Sequence, residues 1–196
     1  MKRSMFGVLF IAALVGCSST PDSVTKTYLL PQAETRDTSE FKEQPILLVQ
    51  PVKVAGYLAG EGIAYQTSET EVVIAQSNLW GENLSQQVAE RLVTQLRRGK
   101  TRYWAMFPNS SLNGLKMPRL QVNISRFEGD YRGAATVAGE WVLVDGNGDV
   151  IGSNTFYAQE SLEKEGYQAL VLALSIALDT AIDDMTLDLN RVGVAR

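Results

Sequence analysis

Arg119-Leu120-Gln121-Val122-Asn123-Ile124-Ser125-Arg126-Phe127 sets Leu120, Val122, Ile124 and Phe127 against Gln121, Asn123 and Ser125. Alternation with a period of two puts one set of side chains on each face of a strand. The phase breaks near Arg126, and a strand that keeps its apolar set inward across such a break needs a bulge. Two further β-prone runs, 134–144 and 150–159, follow. Between them lies Asp145-Gly146-Asn147-Gly148-Asp149, whose Asn-Gly pair suits a tight hairpin because both positions accept positive φ. The three runs are expected to form a meander.

Outward from the meander, residues 167–190 read as a long helix, with Tyr167, Leu170, Val171, Leu174, Leu178, Ala181, Ile182, Met185 and Leu189 at helical spacing. Residues 169–178 are apolar apart from Ser175, but that is about half a bilayer span, and Asp179, Asp183 and Asp184 follow. A packed core helix is expected. Upstream, Trp80, Leu84, Val88, Leu92 and Leu96 recur every four residues, with Ala89 and Val93 widening the stripe. They predict a second helix capped by Ser77 or Asn78, ending in Arg97 and Arg98 with Gly99 as a left-handed stop. Its polar side, with Gln86, Gln87, Glu90, Arg91 and Gln95, is expected to face solvent or a partner.

Short strands are expected at 27–31, ended by Pro31, and at 46–54, with a bulge or exit at Pro51. A hairpin is expected across 67–70, from 63–66 to 72–75, and a further strand at 102–107. Two helices separated by strand runs, without regular β-α-β alternation, predict an α+β domain: a largely antiparallel sheet with two long helices packed on one face.

The first residues read differently. Lys2 and Arg3 precede an apolar run from Met5 to Val15, and Gly16 precedes Cys17, the one cysteine among 196 residues. This is the layout of an export signal, and the apolar run is too short to span a bilayer. Leu14-Val15-Gly16-Cys17 resembles a bacterial lipobox, which implies that the Cys17 sulfur is lipidated, the bond before it cut and the freed amine acylated. In that system the Ser18 that follows lets sorting to the outer membrane proceed. The expected organisation is 1–16 signal peptide, 17–26 lipidated tether, 27–190 one domain and 191–196 a loose tail.

Composition narrows the function. Without residues 1–16 the chain keeps 16 basic against 22 acidic residues. That balance argues against a nucleic-acid partner, which demands a concentrated basic patch. Histidine is absent, which removes the commonest general base near neutral pH and the commonest transition-metal ligand. Ser-His-Asp and Cys-His catalysis are excluded, and no cofactor or metal is expected. The 145–149 run imitates a calcium loop, but Val150 and Phe156 stand where glycine and a bidentate glutamate are required. Gly56, Gly60 and Gly62 lack the Gly-Lys-Ser or Gly-Lys-Thr of a phosphate cradle. Asp183 and Asp184 diverge on a helix and cannot form one acid-base pair.

Tyr28-Leu29-Leu30-Pro31 after a lipobox, then Pro51-Val52, Ala55-Gly56-Tyr57-Leu58, Gly62-Ile63-Ala64-Tyr65-Gln66-Thr67 and Asn78-Leu79-Trp80, resemble the auxiliary lipoproteins of ABC and MCE transport systems, the paraquat-inducible Pqi type above all. The resemblance covers nearly the whole chain after Cys17. It implies a non-enzymatic outer-membrane lipoprotein on the periplasmic face, which moves lipids between membranes together with a PqiB-like MCE-domain protein. It also implies self-assembly into a homo-oligomeric ring. From the position of these motifs, Tyr57, Leu58, Ile63 and Tyr65, with Trp80, are candidates for contact with copies or partner. The alternatives are a lipid carrier with its own pocket and a carboxylate-dependent envelope hydrolase.

Overall fold

A computed structural model describes residues 24–32, 41, 43–98, 101–112 and 114–192. Cys17, Gly99 and the residues after 192 lie outside this set. Strand β7 (Arg119–Asp130) is the axis of one nine-stranded sheet. β8 (Ala134–Val144) runs antiparallel to it and β9 (Val150–Ser161) antiparallel to β8, the expected meander. Along its other edge β7 receives three short strands in turn, all parallel to it. They are β2 (Ile46–Val49), β3 (Lys53–Val54) and β4 (Gly62–Gln66), in register at Val49↔Leu120, Lys53↔Asn123 and Tyr65↔Gly129.

β5 (Val72–Trp80) is antiparallel to β4, β1 (Lys26–Tyr28) is parallel to β5 at the sheet edge, and β6 (Trp104–Met106) is parallel to β2. The α+β class is as expected, but the sheet is mixed. Its long ladders are antiparallel, while β2, β3 and β4 follow one another along a single edge of β7 and pair parallel with it.

The phase break is a bulge. The β7–β8 register shifts between Ile124 and Arg126, leaving Ser125 as the extra residue. Opposite it stands Gly139, where a Cβ would meet the Asn123 carbonyl oxygen at 2.1 Å, so only glycine lets the two backbones approach. At Pro51 the apolar run splits into β2 and β3, and the Gln50 N–H still donates to the Leu120 carbonyl at 2.9 Å. In the 145–149 turn, Asp145 Oδ1 accepts the N–H groups of Asn147, Gly148 and Asp149 at 2.8, 3.0 and 3.0 Å. The carboxylate closes a turn.

Helix α1 (Leu84–Arg98) begins later than its spacing predicts. Asn83 is the cap, its Oδ1 accepting from the Ser85 N–H at 2.9 Å, while Ser77 and Asn78 lie inside β5. Trp80 ends that strand, its N–H donating to the Glu61 carbonyl at 2.6 Å. Strand and helix bury their residues in one core, so the four-residue spacing runs across their junction.

The polar side of α1 also departs from expectation. Gln87 is buried, accepting from the Leu30 N–H and donating to the Glu82 carbonyl, both at 2.8 Å. Arg91 presents a two-pronged fork to Asp179 of helix α2 (Tyr167–Val192), at 2.7 and 2.5 Å, donates to Ser175 Oγ at 3.1 Å, and also donates to the Pro31 carbonyl. Gln95 donates to Asp179 as well. Only Gln86 and Glu90 of the five are exposed. These contacts lock the helices together and staple the strap after β1 to them.

α2 packs on β7, β8, β9 and α1, so both helices cover one sheet face. None of the described helices is long and apolar enough to cross a membrane. Partial desolvation on the helix surface, and then the neighbouring Asp179 and Asp184 charges, hold the Asp183 carboxyl above its ordinary value. The folded chain therefore keeps this proton to higher pH than the unfolded chain, so this contribution to stability falls as pH rises above the ordinary carboxylate value. Asp183→Asn is expected to stabilise at pH 7 by no more than about 0.5 kcal/mol, as befits a surface site. The gain should vanish in urea melts run below about pH 4.

Candidate functional site

The candidate residues named from motif position do not form one surface. Leu58, Ile63 and Trp80 are core residues, at 3%, 0% and 5% exposure, and cannot contact a partner without unfolding. The reason is local. The 3-10 turn Gly56–Leu58 turns Leu58 into the core, Ile63 faces the core from β4, and Trp80 stacks edge-on to Phe127 with ring centroids 5.9 Å apart. Tyr57 and Tyr65 do reach the surface. Among the three glycines around Tyr57, the positions a Cβ would take are open at Gly56 and Gly60 but blocked by Ala75 and Ile74 at Gly62.

Tyr57 turns its hydroxyl inward. It donates to Glu128 Oε2 at 2.5 Å and to the bulge carbonyl of Ser125 at 3.1 Å. Glu128, itself buried, accepts from Arg126 Nε at 2.8 Å, and Arg126 reaches Gln66 Oε1 at 3.0 Å. Burial first, and then the hydrogen bond and charge of Glu128, push the Tyr57 phenol far above its ordinary value. A phenol so held does not act as a base near neutral pH; it satisfies a buried carboxylate. Tyr57→Phe leaves that oxygen short of a donor and is expected to cost about 1–3 kcal/mol in urea denaturation. A loss near zero would mean that water replaces the phenol.

Beyond these residues, the structure gathers tyrosines from separate parts of the chain. Tyr65, Tyr131, Leu162, Tyr167 and Leu170 line a mostly apolar open cleft of ≈ 510 Å³ at the start of α2. Tyr28 packs beside it, its ring 6.4 Å from that of Tyr167. Burial, then the nearness of Tyr28 and Tyr65, raise the Tyr167 phenol. A second, polar cleft of ≈ 260 Å³ lies next to the first, lined by Gln66, Glu69, Arg126, Arg132, Tyr131 and Tyr157 among others. Tyr131 borders both, and its hydroxyl accepts from Arg132 at 2.9 Å. Sequence reading misses Tyr131 and Tyr157; the one local signal is an aromatic in a tight turn ending in Gly133, whose φ is 81°.

No group of three or more His, Cys, Asp or Glu among the described residues is placed to hold a metal. What the arrangement offers is aromatic and apolar contact surface bordered by mixed charge.

The sequence matches the model of a family described as "ABC-type transport auxiliary lipoprotein component" over residues 28–186. It is 35% identical over 165 residues to the intermembrane transport lipoprotein PqiC of Escherichia coli (strain K12), covering 83% of this chain and 84% of that one. PqiC of Shigella flexneri matches to the same extent. A crystal structure of an uncharacterised protein, 28% identical, superposes with a TM-score of 0.73 over 85% of this chain and 99% of that one. Protein XCC0632 from Xanthomonas campestris, 19% identical, shares the fold with a TM-score of 0.69 over 86% of this chain and 97% of its own. The chain therefore belongs to the ABC-type transport auxiliary lipoprotein family.

Proposed function

We propose that this protein is a lipid-anchored component of an intermembrane lipid transport system, held by Cys17 to the periplasmic face of the outer membrane, where it docks a periplasm-spanning MCE-domain partner. The observation that carries the reading is the 35% identity to an intermembrane transport lipoprotein along 83% of the chain. Sequence supports the rest: a lipobox-like Leu14-Val15-Gly16-Cys17, Ser18 after it, and no histidine. Such a chain acts by contact. Self-assembly into a ring around the end of the partner belongs to the same proposal. Of the motif residues, Tyr57 and Tyr65 stay in the proposed contact set, because their rings reach the surface.

Complementation of a deletion strain tests it. Native protein is expected to restore the envelope barrier, while the same domain exported behind a leader that is cut without lipid attachment is not. Full restoration by the lipid-free form would overturn anchored docking. The apolar cleft at Tyr65 and Tyr167 favours one other reading, a carrier that takes up lipid by itself. Native mass spectrometry separates the two: a carrier retains acyl ligands on single subunits, a docking component appears as oligomers without them.

A further inference from the structure

Three connections meet at one end of the domain. Gln66 pairs with both Val72 and Asp130, which sets the β4–β5 hairpin beside the β7–β8 turn. Ala134 pairs with Ser161, and the Leu162 N–H donates to the Gly133 carbonyl at 2.9 Å, which brings the loop before α2 to the same place. β1 points back to this end. It runs parallel to β5 with Lys26 opposite Asn78 and Tyr28 opposite Trp80, so the chain before Lys26 leaves toward Val72. Eight residues lie between Cys17 and Lys26, a reach of at most about 30 Å.

The surface at this end has the chemistry of a membrane interface. Tyr131 and Tyr157, which both line the polar cleft, are exposed, and so are Val72 and Val73 on the neighbouring hairpin. Tyrosine suits the headgroup layer because its ring is apolar and its tip wet. Arg132 and Lys164 are outnumbered by the exposed Glu69, Glu71, Glu163 and Glu165, so no basic field for anionic headgroups forms. A contact of this kind depends on aromatic and apolar burial more than on anionic headgroups and is weakly sensitive to salt. Leu115 and Val150 are also exposed, but they lie toward the opposite end, away from the tether.

We infer that the end of the domain bearing Tyr131 and Tyr157 rests on the lipid bilayer into which Cys17 is anchored, leaving the opposite end, with the Asp145–Asp149 turn, directed into the periplasm. The inference rests on the lipid-anchor reading of Cys17 and adds the orientation of the domain.

Site-directed spin labelling tests it, since lipid on Cys17 leaves the chain without another thiol. Tyr131→Cys, Tyr157→Cys and the control Val150→Cys are labelled in the full-length lipidated protein and reconstituted into phosphatidylcholine vesicles. Labels at 131 and 157 are expected to be several-fold less accessible to an aqueous nickel chelate than the label at 150, and more accessible to oxygen. Protein that floats with the vesicles but shows equal accessibility at all three positions would overturn the orientation and leave the anchor standing. Protection at 131 and 157 that appears only on adding an MCE-domain protein would also overturn it, in favour of a protein contact. Protein that fails to float would remove the anchor, and the orientation with it.

Discussion

Trp141→Ala is expected to destabilise the domain by about 3–5 kcal/mol, lowering its melting temperature by roughly 10 °C. Trp141 is a large side chain at 2% exposure, on β8 opposite Val122 of β7 and Asn154 of β9. A Cβ added at nearby Gly152 would sit 2.8 Å from Val192 of α2 and 3.4 Å from the Trp141 ring, so the strand gives up its side chain to make room for both. The void left by Ala lies between sheet and helix, where both walls are fixed by ladders and cannot collapse. Urea denaturation in detergent measures the loss. Tyr157→Ser, on the exposed part of β9, is the control and should change stability by no more than about 0.5 kcal/mol. A Trp141→Ala loss below about 1 kcal/mol would mean that the site is loosely packed.

Cys17→Ser is expected to abolish incorporation of labelled fatty acid completely, because the proposed thioether needs the Cys17 thiol and a hydroxyl does not replace it. Burial of each acyl methylene contributes about 0.8 kcal/mol, so two or three chains hold a protein on a bilayer where one does so only weakly. Growth with labelled palmitate, followed by immunoprecipitation, makes the measurement. Undiminished label on Cys17→Ser would place the lipid elsewhere on the chain, and no label on the native protein would remove the anchor.

What was legible in the sequence was local. The Ser125 bulge shows as a break in alternation between Ile124 and Phe127, and the 145–149 hairpin through its glycines, although only Gly148 takes positive φ and Asn147 does not. α2 shows because its apolar residues hold a 3.6 period over the whole helix. The parallel joining of β2, β3 and β4 to β7 leaves no such mark: each strand is two to five residues long, and its partner is chosen by packing far along the chain.

Trp80 ends a strand and does not begin the helix its spacing predicts, because its step to Leu84 imitates a helical one, although Asn83 between them is a better cap. Arg91 and Gln95 read as solvent-facing from their polarity, which says nothing of an Asp179 on another helix 84 to 88 residues away. Of the contact residues chosen by motif, Leu58, Ile63 and Trp80 are core. Aromatic and β-branched residues favour strands and interfaces alike, and the residue type does not tell them apart. The tyrosine-lined end draws Tyr65, Tyr131, Tyr157 and Tyr167 from four elements or turns, so only the fold brings it together.

The most direct test of a contact-based transport role is affinity recovery of the full-length chain from cross-linked cell envelopes, followed by identification of what comes with it. The account predicts an MCE-domain protein in amounts comparable to the bait. Recovery of the chain as a single subunit carrying bound lipid, with no MCE-domain protein, would contradict it.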